Sequence, residues 1–591
     1  MKTAQILPSP RRTMKRIYDI VFRQFGLLLS ITLVAGTTVP AQDRRPNIVF
    51  ILTDDHRWDA LGYFGNPFAR TPELDALARS GTVFRNAFAS TPICSASRAS
   101  LLSGQPERRH RYSFQSDAVL DAYMDSAYPA LLRRSGYRTA AFGKLGVKYA
   151  RLDTLFDVHD DYDRNNSYND RRGYFYKTLQ GDTVHLTRFT GQQGVDFIRR
   201  QAAGQPFCLQ LNFSAPHAHD GAADQYFWQT AYDTLFQRMT VPAPPLSDNA
   251  FFDELPEAVR NGFSRLRWTW RFDEPAKYQR MVKGYYRMIA EVDAEVGRIR
   301  AALREKGLDR NTIVVFLSDN GYFLGERQLA DKWLMYEPSV RVPLIVMDPR
   351  QRRHGDVDAM ALNTDVPATL LDIAGVRRPS SWPGRSLLPL VGNSPGATGH
   401  DTLLLEHLWV FDAIPASEGL RTARTKYFRY VDDRSLEYLY DLSKDPDERH
   451  NLARDPRYLE PLTAMRTALD RRTLAYRDAQ GQGPTALSVQ LDRLPEGAVA
   501  QTPQPIFQWT LPPTTGKQRG YQILVASSRE ALDENRGDCW DTRQVRSGQT
   551  QEVGYMGRPL QRGRTYHWKV RIWDAANRTR DYSEAASFRV E

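Results

Sequence analysis

Cysteine is scarce: Cys94, Cys208 and Cys539 are the only three in 591 residues. They stand so far apart that neither a disulfide framework nor a zinc cluster of closely spaced ligands is readable from them. Stability therefore has to come from packing, and 41% apolar residues over this length suffice for two or three domains. Internal repeats and low-complexity tracts are lacking as well. There is no basic run and no aromatic-basic motif, which argues against a nucleic-acid partner. The formal charge of +11 is modest, and residues 1–41 carry Lys2, Arg11, Arg12, Lys15, Arg16 and Arg23 against Asp19. The remainder is near +6, a mild bias toward an anionic partner such as an acidic polysaccharide.

A long hydrophobic span is missing too. The apolar run Gly26–Ala35 is shorter than the roughly 20 residues that cross a bilayer. It follows Lys15-Arg16 and precedes the small-residue site Val39-Pro40-Ala41, the pattern of a cleaved export signal over residues 1–41. No cysteine follows the run, so a lipoprotein anchor is not supported. The expectation is a secreted or periplasmic protein without a membrane span after cleavage.

From Pro46 onward, short apolar runs alternate with amphipathic stretches, as in a parallel sheet covered by helices. Strands are expected at Asn47–Thr53, Thr82–Ala89, Thr139–Gly143, Pro206–Ser214 and Thr312–Ser318. Helices are expected at Pro72–Ser80, Ser126–Ser135 and Ala276–Lys306, each closed by a glycine. The first strand runs into Asp54-Asp55 and the last into Asp319-Asn320. Open α/β sheets place ligands at the C-terminal strand edge, so these four oxygen donors are expected in one site. They are hard donors of the kind that suit Ca²⁺, and three carboxylates together would repel without a cation.

The stretch TPICSASRASLLSG puts Cys94 at a helix start, where free N–H groups and the dipole favour an anion or a nucleophile. Cys94-Ser95-Ala96-Ser97-Arg98 resembles the C-x-[PA]-x-R maturation motif of the formylglycine-dependent sulfatases of the alkaline phosphatase superfamily. Gly143-Lys144, Pro216-His217, Asp319-Asn320-Gly321 and Lys332 stand in the order that family shows, and Tyr438–Leu452 resembles its C-terminal signature.

The resemblance implies an alkaline-phosphatase-like α/β domain over 46–395, a small α+β subdomain over 396–478, and hydrolysis of a sulfate ester. It implies that a maturation enzyme oxidises Cys94 to formylglycine. The hydrated aldehyde attacks sulfur through one hydroxyl and later expels sulfate through the other, whereas serine would leave a stable ester. Asp54, Asp55, Asp319 and Asn320, with an oxygen of residue 94, would hold Ca²⁺. Arg98, one helical turn after Cys94, would reach back toward the diol oxygens, Lys144 and Lys332 would clamp the sulfate, and His217 would protonate the departing alcohol.

One position departs from the family. Many sulfatases carry a histidine two residues after the lysine matching Lys144, and this chain has Gly146. Lys148, His56 and His219 are the candidates to replace it as base. The loops Asp160–Asp182 and Ala218–Asp273, rich in aromatic and charged residues, either line substrate subsites or cover the sheet.

A connector over 479–495 leads to alternating strands over 496–591, expected to form a β-sandwich. Gly520–Ser528 and Tyr566–Asp574 resemble the fibronectin-III-like module of bacterial α-L-rhamnosidases. The expected substrate is a sulfated polysaccharide or its oligosaccharides, with ulvan first and glycosaminoglycans second. The rivals are a phosphoester or phosphonate hydrolase of the same superfamily and a non-catalytic protein that binds sulfated glycans.

Overall fold

Seven strands, the central ones of near-continuous apolar sequence, lie parallel in an eight-stranded sheet, and their C-terminal ends share one edge. In chain order they are β1 (Asn47–Thr53), β2 (Thr82–Phe88), β3 (Arg138–Gly143), β4 (Val158–Asp161), β5 (Phe207–Asn212), β6 (Thr312–Ser318), β7 (Leu344–Met347) and β8 (Gly355–Leu362). The spatial order is β8-β2-β7-β6-β1-β5-β3-β4, and β7 alone runs antiparallel. The computed structural model describes residues 45–591 except 115, 117, 203, 409–413, 479–485, 491–497, 501–504, 512–517, 546, 548–552, 556, 575–577 and 580. The export signal expected over residues 1–41 lies outside the described residues.

β1 is buried on both faces, so its alternate side chains feed two cores. Val49 and Ile51 join a core covered by α1 (Pro72–Arg79), α4 (Leu186–Arg199) and the long α6 (Pro275–Glu305). Ile48, Phe50 and Leu52 join the opposite core, under α2 (Cys94–Ser103), α3 (Tyr128–Arg134) and α7 (Asp365–Ile373). Every residue of α2 is buried. Its small serines and alanines let the helix sit close to the sheet, which fixes Cys94 at the strand edge.

An antiparallel sheet follows, β9 (Thr402–His407), β10 (Ser417–Thr422), β11 (Thr425–Tyr430) and β12 (Glu437–Asp441), packed against α8 (Leu459–Asp478). This is the smaller α+β unit. The C-terminal module is a sandwich of a three-stranded and a five-stranded sheet, built around Phe507, Trp509, Trp568 and Phe588. Contrary to the connector expected over 479–495, Ala486–Gln490 is a strand in parallel register with Ile506–Thr510. Without it, the edge of Ile506–Thr510 would leave backbone groups unpaired. Among the described residues, no helix is long and apolar enough to cross a membrane.

A buried arginine joins the two larger units. Arg108, just after α2, donates to Glu406 of β9 (Nε to Oε2, 2.9 Å) and to Glu418 of β10 (2.7 Å). Its own backbone N–H donates to Glu406 Oε1 at 2.7 Å. Removing one partner strands buried charge, so Arg108→Ala should cost about 3–5 kcal/mol. Thermal unfolding checks this: the midpoint should fall by several degrees, and an unchanged midpoint would remove Arg108 as the joint between the units.

Candidate active site

Four strand ends, one helix start and two loops deliver the site residues. β1 ends in Asp54-Asp55, β3 in Lys144, β5 leads to His217, and β6 ends in Asp319-Asn320. α2 begins at Cys94 after an extended Ile93 that offers no side-chain cap, so the helix N-terminus opens directly onto this edge. Asp55 takes φ +66°, a left-handed turn that aspartate tolerates better than most residues and that ends the strand abruptly.

The charges interlock. Asp54 Oδ2 lies 2.5 Å from Lys144 Nζ and 3.4 Å from Arg98. Asp55 receives Lys332 Nζ at 2.6 and 2.8 Å and Asn320 Nδ2 at 2.6 Å. Arg98 Nε donates to Asp319 Oδ2 at 2.7 Å, and Asp319 Oδ1 accepts from the backbone N–H of Asp55. His217 Nε2 stands 3.5 Å from Asp55 Oδ2. Every catalytic and metal position expected from the sequence except Cys94 is tied into this one network by a hydrogen bond or ion pair. Cys94 enters it electrostatically, through Lys144 and Lys332.

Burial sets the protonation states. It pushes the Cys94 thiol up to about 11 against the pull of Lys144 and Lys332. A thiol at that value is protonated at neutral pH and is a poor nucleophile as it stands. Burial, opposed by Lys332 and reinforced by Asp54, pushes Asp55 up to about 7. For Asp54 burial also acts upward, but Lys144, Arg98 and Lys332 outweigh it and the net shift is down. Burial, with Arg164, Lys332 and Lys144 nearby, holds His217 neutral, well below the usual imidazole range.

With that geometry in place, comparison with known proteins is decisive. A family profile described as Sulfatase matches residues 46–376, more than half of the chain. The chain belongs to the sulfatase family. It is a sulfuric ester hydrolase with an alkaline-phosphatase-like fold. Residues 325–474 match the C-terminal domain of N-sulphoglucosamine sulphohydrolase, and residues 486–591 match the Rha78A-like N-terminal immunoglobulin domain. The chain is 28% identical to an arylsulfatase of Clostridium perfringens over 468 residues, 72% of this chain and 94% of that protein. It is 26% identical to an ulvan-active sulfatase of Formosa agariphila over 465 residues, 74% of this chain and 84% of that one. A solved structure in complex with its substrate D-glucosamine-2-N,6-O-disulfate matches at TM-score 0.61 and 23% identity, covering 73% of this chain and 98% of that one.

The donor set of this sulfatase fits a hard divalent cation. Ligand atoms of Asp54, Asp55 and His217 lie within 4.8 Å of one another. Asp54 Oδ1 and Asn320 Oδ1 are buried and accept no hydrogen bond, while Asn320 Nδ2 donates to Asp55 Oδ1 and Gly321 O. Two orphaned oxygens beside buried carboxylates are what an oxygen-seeking ion requires.

The structure also explains the missing histidine. Gly146 has φ +71°, and a Cβ there would meet Arg98 Cδ at 2.5 Å. In this sulfatase the Arg98 side chain crosses the place where a side chain at 146 would begin. None of the three candidate replacements is tied to the cluster. Lys148 is exposed, with Nζ 3.2 Å from the Ser116 carbonyl. His56 Nε2 contacts Ala60 O, and His219 Nε2 contacts Tyr168 O.

Two participants went unnoticed in the sequence, Asp163 and Arg164, both in the charged loop after β4. Asp163 reaches Lys144 at 3.3 Å, and Arg164 lies 2.6 Å from His217 Nδ1 while also donating to Ala218 O. The Ala218 carbonyl is itself 2.6 Å from Nδ1. Arg164 and the Ala218 carbonyl thus hold the Nδ1 side of the ring, which leaves Nε2 on the side facing Asp55. A charged Asp-Arg pair is common in surface loops, so only its position marks it.

Gly146→His should therefore displace Arg98 and lower both stability and turnover, whereas Lys148→Ala should leave turnover unchanged. Steady-state rates and thermal midpoints check both. A Gly146→His protein as stable and active as the parent would contradict the steric account.

Proposed function

We propose that this sulfatase is an exported enzyme that hydrolyses sulfate esters on a carbohydrate. The observation that carries the reading is the convergence of Arg98, Lys144 and Lys332 with three buried carboxylates at the N-terminus of the Cys94 helix. Three fixed cations at the base of one site suit a tetrahedral, singly charged ester anion.

Residue 94, oxidised by a formylglycine-generating enzyme, would supply a hydrated aldehyde as nucleophile. Asp54, Asp55, Asp319 and Asn320 would hold Ca²⁺, which when bound polarises the sulfate and stabilises an ionised hydroxyl. Lys144 and Lys332 orient the sulfate oxygens. Arg98 bridges Asp319 and Asp54, so it fixes the carboxylates as it faces residue 94, one helical turn away. His217 faces the cluster through Nε2 and would act on the bridging oxygen as the alcohol leaves, a step that needs its imidazolium form.

The sugar assignment rests on three supports: the mild positive charge of residues 42–591, the rhamnosidase-type module, and likeness to an ulvan-active relative. Ulvan fragments rank first and sulfated glycosaminoglycans second. Sulfate release from defined ulvan and glycosaminoglycan oligosaccharides, beside phosphate release from matched phosphoesters, tests the assignment. Release from ulvan units is expected. Activity confined to glycosaminoglycan units would overturn the sugar, and preference for phosphoesters would overturn the reaction. Peptide mass spectrometry of active protein should find residue 94 as formylglycine, and Cys94→Ala should abolish turnover. Full activity in protein carrying only the thiol would contradict the mechanism.

A further inference from the structure

The helix α5 (Phe263–Arg271), in the second aromatic and charged loop, is built onto the two loops that carry His217 and Lys332. Asp220, three residues beyond His217, pairs with both Arg267 and Arg271. Asp331, the neighbour of Lys332, receives Arg271 at 2.9 Å and Arg267 at 3.6 Å. Ser264 Oγ donates to the Lys332 carbonyl at 3.4 Å. The inner face of α5 is thus committed to holding the site's rim.

An adjoining face of the same helix carries aromatic rings. Trp333 packs on Ile93 and Ala96, on either side of Cys94 in the chain, and its backbone N–H donates to Pro92 O at 3.0 Å. Phe263 lies 5.5 Å from Trp333, and Trp270 lies 6.4 Å from Phe263. Three rings therefore lead outward from the nucleophile's helix start. Arg267 places its guanidinium 4.6 Å from the Phe263 centroid and 4.6 Å from the Trp270 centroid. That contact fixes one face of the indole, while 36% of Trp270 remains exposed. A large aromatic held rigid and left open at the rim of a site loses little entropy when a ligand stacks on it. Asp220, paired with Arg267 and with its side chain 30% exposed, is an acceptor for hydroxyl groups.

We infer that Trp270, Arg267 and Asp220 form a saccharide subsite, in which the open indole face stacks on the apolar C–H face of a pyranose ring of the sulfated substrate. The proposal rests on the sulfatase reading and extends it to the part of the substrate that does not react. Trp270 grips the ring while the cationic base of the site grips the sulfate, so the two contributions are separable.

The test uses the full chain as wild type, Trp270→Ala and Trp270→Phe, on whichever ulvan or glycosaminoglycan oligosaccharide releases sulfate. Inorganic sulfate serves as a competitive probe that occupies only the base of the site. Trp270→Ala should raise KM for the oligosaccharide about tenfold with little change in kcat, as expected for a buried stacking contact. Trp270→Phe should recover most of the loss, and the inhibition constant for sulfate and the thermal midpoint should not move. An unchanged KM in Trp270→Ala would overturn the subsite. A parallel shift in sulfate inhibition or thermal midpoint would assign Trp270 a packing role instead and overturn it equally. A wild-type enzyme that releases no sulfate from any oligosaccharide would overturn the sulfatase reading itself, which is a separate outcome.

Discussion

Three fully buried aspartates at the ends of two adjacent strands are the constraint on which the rest depends. Like charges that close cannot all ionise without cations between them. The protein supplies Lys144 from β3, Arg98 from α2 and Lys332 from the loop after β6, and each arrives from a different part of the fold. The strand order brings β5, β1 and β6 side by side, so Asp54, Asp319 and the loop to His217 share one edge. The fully buried α2 then delivers Cys94 and Arg98 to that edge on one helical turn. Charge balance and sheet topology are the same requirement seen at two scales.

Much of this was legible in the sequence, for physical reasons. The central strands read clearly because burial on both faces makes them continuous apolar runs, and the helices α1, α3 and α6 end in glycine. β4, β7, β8, α4 and α7 were not read. β8 carries Asp356 and Asp358 along its outer part and alternates in exposure, so it does not stand out as apolar. α4 contains two internal glycines, Gly191 and Gly194, that break its helical signal; they face Glu295 and Ile299 of α6, where a Cβ would collide.

The site residues were legible because aspartates, lysines and histidine stood at strand ends in a recognisable order. Asp163, Arg164 and Asp220 were not, because they lie in loops where charged residues are ordinary, nor were Arg267 and Trp270, on a short helix between irregular stretches. Only the folded chain puts Arg164 on His217 and Arg267 between two rings. The substitution at 146 shows the reverse case: the sequence announced a departure, but its cause, the path of the Arg98 side chain, is purely three-dimensional.

If the aspartate cluster is built for a divalent cation as well as for the lysines, its affinity should be measurable directly. Calorimetric titration of Ca²⁺ into chelator-treated full-length protein, compared with Asp319→Asn of matched thermal stability, is the most direct test. The account predicts a single saturable site in the parent and its loss in the variant. Absence of binding in the parent, or equal binding in both, would contradict it.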